Sequence, residues 1–487
     1  MIAALLIATL AAAPEPLPVI ALPPTKTGMA TVKLAFRAGA IDDPPDRAGL
    51  TALCAEWLTR GGTRELPAEK LQEELYLRGA SIEVQADREQ IVFTARAPAS
   101  SIAEVAGWMA GEVATPVLDD GDFASAREEA LDGLEQLEHG SNEALAAEAL
   151  MPALFPKHPY GRPSWGTHAG LSAATLDDAR AQLTQVFTRD RLTLGLSGAY
   201  SNGLASQLET VLAALPVHGT AVGALPPLAS GPRALLVARR SGATTFFLGM
   251  PWDVKRGDPD FVPLAVGISA LGEHRQFGGR LFGELRDLRG LNYGDYAYVE
   301  RFVQDGASTF PAPHVSLRQQ YFSLWLRPVE RENRVFALRA AMHVVREMVD
   351  RGITEAELVR TRSFLAGATR LWAQTDEREL GWAIDGAFYG DPQFLAHYRD
   401  ALASVTVAQV NAALKRHLDP DKLHIVAVGP DAEGLARALR SGDPSAPRYP
   451  GVPPRGTEEA DRRITGLDLG LRPEDVEVVE PSALFAK

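Results

Sequence analysis

Arg286 and Tyr293 stand seven residues apart in a glycine-rich part of the chain and carry side chains suited to catalytic chemistry. A phenol can donate a hydrogen bond to a developing oxyanion, and a guanidinium can hold a carbonyl or carboxylate group through two hydrogen bonds. The spacing alone favours a plainer interpretation. In that interpretation Arg286 is a solvated helix charge among charged neighbours, and Tyr293 is a packing residue.

The ten histidines form no recognisable metal-binding pattern. Many zinc peptidases hold the metal with two histidines one helical turn apart, and neither His-x-x-Glu-His nor His-x-x-x-His occurs in this chain. His343 and Glu347 lie four residues apart on a predicted helix, where a surface or interface pair is the commoner arrangement. His158 precedes Pro-Tyr-Gly and is interpreted as a hydrogen-bonded turn histidine.

The elements that must position these residues occur twice along the chain. Residues 183–198 match residues 414–429 at a constant offset of 231, and both copies read as a helix end, an aspartate, an apolar strand and a closing glycine. The same offset aligns Thr175 with Thr406, each at a helix start of the N-cap kind. The period is too long for a solenoid and indicates two similar domains.

Each half mixes strand-like runs with long amphipathic helices, which predicts an α+β fold. Strands are predicted at residues 31–36 and 234–238, and helices at residues 124–139 and 331–350.

Shifts in composition give the predicted domain boundaries. They are an N-terminal segment at 1–22, a first domain at 23–215, a linker at 216–232, a second domain at 233–440 and an extension at 441–487. The linker is rich in proline, glycine and alanine and nearly free of charge, as in a segment laid over a surface. The extension is rich in proline, glycine and charge, and we expect it to be extended or partly ordered, with no core of its own.

The composition is that of a globular protein, with 46% hydrophobic and 23% charged residues. A net charge of -13 argues against nucleic-acid binding, which depends on lysines and arginines that neutralise phosphates. The single cysteine, Cys54, excludes an internal disulfide and a cysteine-based metal cluster. No stretch after the first residues approaches the roughly 20 apolar residues of a membrane span.

The first residues of the chain resemble an export signal. Residues 1–13 form an apolar run that ends in small residues before Pro14, although the usual positive start is missing. This pattern predicts a signal peptide and export to the periplasm. A cytoplasmic protein with a mis-set start or a frayed apolar terminus is the alternative.

Several ordered motifs resemble those of the M16 peptidases, the family of pitrilysin, insulinase and the mitochondrial processing peptidase. They are residues 38–44, 48–63, 77–84 and 158–161 in the first half and residues 277–294 in the second. The resemblance extends over residues 23–440. It implies two homologous LuxS/MPP-like metallohydrolase domains, each a mostly antiparallel sheet covered by helices.

The resemblance also indicates that the metal ligands of the family are missing. Active members carry His-x-x-Glu-His on one helix, with a general base beside two histidine ligands, and a third ligand, a glutamate, on a later helix. The histidine positions fall at Ala52 and Glu56, the base position at Ala55 and the distant glutamate position at Gly133. Alanine and glycine side chains donate no electron pair, so we expect this chain to bind no zinc itself. A one-residue shift of the alignment would bring Asp132 or Glu135 to the last position but supplies no histidine.

Arg286 and Tyr293 match the Arg/Tyr pair that this family directs from its second half toward substrate, so the resemblance implies a substrate-binding role for both. It predicts the non-metal subunit of a heterodimeric zinc peptidase. A zinc-bearing M16 partner would carry the metal, and this chain would close the chamber around an extended peptide. A non-catalytic peptide-binding or assembly protein is the alternative. An active zinc peptidase with unusual ligands is the less favoured third possibility.

Overall fold

The structure is a computed structural model in which residues 16–229, 231, 233–304, 306, 308–449, 451 and 455–486 are described. The predicted signal-like run at residues 1–13 lies outside the described residues. Within them, none of the helices combines the length and apolarity that crossing a bilayer requires.

The first half is built on a mostly antiparallel sheet, which has five strands among the described residues. The strands are β1 (Val19–Ala21), β2 (Met29–Phe36), β3 (Ser81–Ala86), β4 (Ile91–Pro98) and β5 (Leu192–Gly198). The helices are α1 (Leu50–Leu58), α2 (Ala68–Arg78), α3 (Ile102–Ala114), α4 (Asp120–Glu138), α5 (Asn142–Leu154), α6 (His168–Ala173), α7 (Leu176–Val186) and α8 (Leu204–Leu212). The strand order is β1-β5-β2-β4-β3, and only the β1–β5 pair of this sheet is parallel.

The second half repeats this arrangement. Its strands are β6 (Ala234–Ala238), β7 (Ala243–Trp252), β8 (Asn292–Tyr298), β9 (Gln320–Glu330), β10 (His424–Gly429) and β11 (Val476–Val479). Its helices are α9 (Phe261–Leu271), α10 (Arg334–Arg351), α11 (Glu355–Trp372), α12 (Asp376–Phe388), α13 (Phe394–Ser404), α14 (Val407–His417), α15 (Ala432–Ser441) and α16 (Glu458–Thr465). The described strands follow the order β11-β6-β10-β7-β9-β8, which is the order of the first sheet with β11 added outside. The predicted α+β fold is confirmed.

The repeat found in the sequence corresponds to equivalent elements. Thr175 and Thr406 each accept a hydrogen bond from the backbone N–H three residues later, at the starts of α7 and α14. In both cases the side-chain oxygen at that third position accepts a hydrogen bond from the threonine backbone N–H, which completes a capping box. The strands that follow, β5 and β10, occupy the same place in the two sheets.

One helix from each half packs against the sheet of the other half. Helix α5 packs on β7 and β10, and α12 packs on β5 and β2. Glycines allow the close approach: a Cβ added at Gly249 of β7 would lie 3.3 Å from Leu154, and one added at Gly195 of β5 would lie 2.9 Å from Ile384. Because the exchanged helices bury apolar surface on both sheets, the two halves share a continuous core and are interlocked.

Buried charges also join the halves. Lys33 of β2 is 3% exposed, and its Nζ lies 3.1 Å from Nε2 of His314 and 3.6 Å from a carboxylate oxygen of Glu377 on α12. Arg96 of β4 holds the same carboxylate through two hydrogen bonds of 2.5 Å. Desolvation lowers the pKa of Lys33, and Glu377 opposes that shift. A paired buried charge tolerates little displacement, so these contacts set the orientation of the halves.

Both terminal segments are more closely integrated than their composition indicates. Strand β1 lies within the predicted N-terminal segment 1–22, yet it pairs with β5, and Leu17 before it is buried. In the predicted extension, β11 pairs with β6, Ile464 enters the second core, and Phe485 is fully buried in the first. A few well-spaced apolar residues are enough to anchor a polar segment once a core exists elsewhere to receive them.

Candidate functional site

Buried hydrogen bonds fix the start of helix α1, although this helix lacks the metal ligands of the family. Asp43 accepts hydrogen bonds from the backbone N–H groups of Gly49, at 2.7 Å, and Thr51, at 2.8 Å, and so caps the first turn. Burial raises the pKa of Asp43 to about 6. Gly49 has a φ of 99°, and a Cβ there would lie 2.8 Å from the Cα of Gly166, so the approach requires glycine.

The positions that correspond to the metal ligands face one another. Ala52 and Glu56 of α1 and Gly133 of α4 line one cavity of about 420 Å³. Ala55, at the position of the general base, is fully buried and does not line this cavity. The structure therefore gathers the three ligand positions at one place, where a methyl group, a carboxyl group and a hydrogen atom replace the family's ligands.

The alternative alignment does not bring a carboxylate into this cavity. Asp132 and Glu135 are exposed and lie outside the lining of the cavity, whereas Ala130, Gly133 and Leu137 line it at helical spacing. The face of α4 that points toward α1 is therefore the one that carries Gly133. A Cβ added at Gly133 would meet no atom within 4 Å, so the space of a larger side chain is open there.

The carboxylates that line the cavity do not make a zinc site. Glu129 is bound by Arg60 through two hydrogen bonds, of 3.0 and 2.5 Å, and so is already paired. Burial raises the pKa of Glu56, which disfavours its charged form, although Arg60 opposes the shift. In the described part of the chain, no three histidine, cysteine, aspartate or glutamate side chains gather where they could hold a metal ion. The residues present therefore do not fit the family's zinc.

Arg286 and Tyr293 come together in the second half. The guanidinium carbon of Arg286 lies 4.2 Å from the centre of the Tyr293 ring and 5.1 Å from that of Phe282. Tyr293 is 66% exposed, and within the described residues no carboxylate forms an ion pair with Arg286. The pair is thus stacked and open to a ligand, with the phenol hydroxyl and the guanidinium nitrogens available as donors.

The backbone conformation around Arg286 brings its side chain against Tyr293, seven residues later. Phe282–Asp287 is a π-helical segment, in which the N–H of Leu288 donates to the carbonyl of Gly283 at 3.0 Å. Such widened turns occur often at functional sites. Gly290, with a φ of 62°, lies between this segment and β8, which begins at Asn292. Glu284, a charged neighbour of Arg286 in the sequence, forms its ion pair with Arg289 instead. Arg289 also pairs with Asp461 of α16.

A chamber of about 980 Å³ joins these two regions. Its lining comes from both halves and includes Arg286 and Tyr293. Leu137 and Trp165 line this chamber and also the smaller cavity at Ala52, so the two spaces adjoin. The Arg/Tyr pair and the vacated ligand positions therefore share one connected region of the fold.

The two histidines noted in the sequence lie in ordinary structural contacts. Nδ1 of His158 accepts a hydrogen bond from the N–H of Tyr160 at 3.0 Å, which confirms a turn histidine, and burial lowers its pKa to about 4. Tyr160 in turn donates to Glu89, which also binds Arg318 of the second half. His343 lies 3.8 Å from Glu347 on α10, in the expected pair.

Comparison with known proteins identifies the first half. Residues 19–168 match the model of the insulinase family, peptidase family M16. Residues 19–168 are an M16 domain. The M16 resemblance of the sequence is thereby confirmed.

Curated relatives include both a chain named as a non-peptidase homolog and chains named as zinc proteases. A non-peptidase homolog of Helicobacter pylori, YmxG, is 23% identical over 403 residues, 82% of this chain and 89% of that protein. An uncharacterized zinc protease of Mycobacterium tuberculosis is 27% identical over 304 residues, 61% of this chain and 64% of that protein. The chain thus spans less than two thirds of the mycobacterial relative.

A solved structure shows that the M16 fold extends into the second half. It is the peptidase M16 inactive domain from Pseudomonas fluorescens, at 24% identity and a TM-score of 0.74, covering 85% of this chain and 95% of that chain. The chain therefore has the expected fold, with one M16-type sheet in each half.

Sequence reasoning missed most of the chamber wall. Arg327 and Trp325 of β9 line the chamber, as do Trp165 and Phe277. A signal for β9 was present in the sequence: its odd-numbered positions carry Tyr, Ser, Trp and Arg, while the even-numbered positions 322, 324 and 326 are aliphatic or phenyl and enter the second core. Period-two alternation of this kind indicates a strand whose two faces have different surroundings.

Proposed function

We propose that this M16 chain works as the non-metal subunit of a heterodimeric zinc peptidase. A partner chain with intact ligands supplies the metal, and this chain closes the chamber and contacts an extended peptide. The observation that carries the proposal is the cavity at Ala52, Glu56 and Gly133, which lies at the family's zinc position, lacks its histidines and adjoins the chamber with Arg286 and Tyr293.

In this role, Arg286 and Tyr293 bind and orient the peptide. The guanidinium has its donors free for a peptide carbonyl or carboxylate, and the phenol can donate to an oxygen on which negative charge develops. Strand β8, which carries Tyr293, is the outermost strand of its sheet beside β9. An edge strand offers unpaired backbone groups to an extended peptide, so main-chain pairing beside Tyr293 supports the proposal.

The test is co-purification with a zinc-bearing M16 chain, followed by a peptidase assay of the purified pair. Arg286→Ala and Tyr293→Phe should each lower turnover by about a hundred- to a thousandfold, as the loss of a preorganised donor does in other hydrolases. Tyr76→Phe is the matched control, because Tyr76 is 83% exposed on α2 and lies outside the chamber. Unchanged turnover in both chamber variants would remove the substrate-binding role. Chelator-sensitive activity of the isolated chain would instead restore the active-peptidase alternative.

A non-catalytic peptide-binding or assembly protein is the second candidate. It is favoured by one observation: both halves of this single chain line the chamber, so a peptide could be held without a partner. Binding of an unfolded peptide by the isolated chain, together with no zinc-bearing chain that co-purifies, would replace the first proposal with this one.

Export to the periplasm belongs to the same proposal and rests on the sequence of residues 1–13. A cut before Pro14 would leave β1 and its pairing with β5 intact. Mass spectrometry of the protein expressed with its natural N-terminal residues tests this prediction. A mass that still includes residues 1–13 would contradict a cleaved signal peptide.

A further inference from the structure

The chamber carries a charge opposite to that of the whole chain. The net charge is -13, yet five arginines line the chamber, and Glu143 is the one carboxylate among its described lining residues. These arginines are Arg88, Arg275, Arg286, Arg301 and Arg327. A concave wall with one sign of charge concentrates ligands of the other sign, because its low-dielectric surroundings focus the field.

Two of these arginines are neutralised from behind the wall. Arg301 lies 2.6 Å from Asp87, and Arg88 lies 3.5 Å from Glu148, and neither carboxylate lines the chamber. Both arginines also donate to backbone carbonyls. These pairs support the wall and leave little charge for a ligand.

Arg286 and Arg327 have no such partner. Within the described residues, neither guanidinium forms an ion pair with a carboxylate. Arg327 donates to the side-chain oxygen of Gln304 at 2.9 Å and lies over the rings of Tyr296, at 5.2 Å, and Trp325, at 5.8 Å. Aromatic stacking fixes the plane of a guanidinium while its remaining N–H groups stay free to bind a carboxylate.

Exposed aromatic side chains lie beside these charges. Trp165, Phe277 and Tyr293 line the chamber and are 50%, 71% and 66% exposed. Large apolar groups gathered in a concave wall gain free energy when a ligand covers them. The chamber thus offers apolar contact together with two uncompensated positive charges.

We propose that the chamber selects extended acidic peptides, with Arg286 and Arg327 binding their carboxylate side chains. The proposal rests on the proposed peptide-holding function and adds the substrate class to it. Basic peptides are disfavoured because they would place like charges against unpaired guanidiniums. A nucleic acid is disfavoured because the remainder of this acidic chain repels a long polyanion.

The test uses short fluorescein-labelled peptides on the intact chain, with binding followed by fluorescence anisotropy. One peptide has glutamate at alternate positions, and its matched partners have glutamine or lysine at those positions. We expect the glutamate peptide to bind about tenfold more tightly than the glutamine peptide at low salt, with the preference shrinking as salt is added. A single-stranded oligonucleotide of similar length is the fourth probe, and tighter binding of it than of the glutamate peptide would overturn the proposal.

Variants connect the preference to its residue. Arg327→Gln should reduce the preference for glutamate over glutamine by about fivefold, and Arg327→Lys should retain most of it, because the charge remains. Arg437→Gln removes the same charge from an exposed position of α15 outside the chamber and should change nothing. A preference that survives Arg327→Gln in a folded variant would contradict the assignment.

The outcomes separate the two proposals. If the glutamate and glutamine peptides bind equally well, the selection of acidic peptides is wrong while peptide holding stands. If none of the peptides binds, to the isolated chain or to its complex with a zinc-bearing partner, the peptide-holding function itself fails.

Discussion

Glu112 is a buried carboxyl group that should make the chain less stable as the pH rises. It lies on α3, is 1% exposed, and neither of its side-chain oxygens has a hydrogen-bond partner among the described residues. Burial raises its pKa from 4.5 to about 8. The cause is desolvation, which disfavours the charged form when no donor compensates for lost water.

The size of the effect follows from the two pKa values. The folded chain keeps the proton up to about pH 8, whereas the unfolded chain releases it near pH 4.5, so the folded state binds more protons between these values. Stability is therefore highest below the unfolded pKa and is lost as the pH rises through the folded pKa. At about 1.4 kcal/mol per pKa unit, the loss is roughly 3 kcal/mol at pH 7 and roughly 5 kcal/mol above pH 8.

Glu112→Leu removes this titration and nearly preserves the side-chain volume. We expect the free energy of unfolding of the variant, relative to the natural chain, to rise by roughly 3 kcal/mol between about pH 4.5 and about pH 7. Urea unfolding followed by tryptophan fluorescence measures it at each pH. Glu433→Leu, at an exposed position of α15, is the control and should stay within about 0.5 kcal/mol throughout. A difference for Glu112→Leu that does not vary with pH would refute the reasoning.

Two further predictions concern the vacated metal site and the C-terminal segment. Ala52→His, Glu56→His and Gly133→Glu combined should bind zinc at close to one ion per chain, because all three positions line one cavity. Elemental analysis checks this, and a folded triple variant without zinc would show that α1 and α4 are not spaced for coordination. Phe485→Ala should cost about 3 to 5 kcal/mol in thermal or urea unfolding, since the ring is fully buried. Tyr76→Ala truncates an 83% exposed ring instead, and an equal loss there would contradict the burial argument.

Local chemistry explains why parts of this protein could be predicted from the sequence. The helix starts at Thr175 and Thr406 depend on side chains within three residues, so the pattern alone indicates them. The strand at 31–36 lies within β2 and the strand at 234–238 is β6, because continuous apolar β-branched and aliphatic runs favour buried strands. The loss of donors at Ala52 and Gly133 is likewise a property of the side chains themselves.

Contacts between distant segments could not be predicted in this way. The exchange of α5 and α12 between the sheets brings together residues far apart in the chain, such as Leu154 with Gly249 and Ile384 with Gly195, and no local pattern states which sheet an amphipathic helix covers. The same limit applies to Phe485. Its segment is rich in proline, glycine and charge, and nothing in that composition indicates that the core of the first half would bury the ring.

The sequence by itself determined which atoms are available: a duplicated α+β chain with an M16 signature, a phenol and a guanidinium seven residues apart, and no histidines at the metal positions. Only the tertiary structure decided how they are used. It placed Arg286 against Tyr293, left Arg327 without a carboxylate while pairing Arg301 with Asp87, and joined the chamber to the vacated metal site at Trp165. The physical reason is that charge compensation and enclosure depend on long-range neighbours, which the order of residues along the chain does not specify.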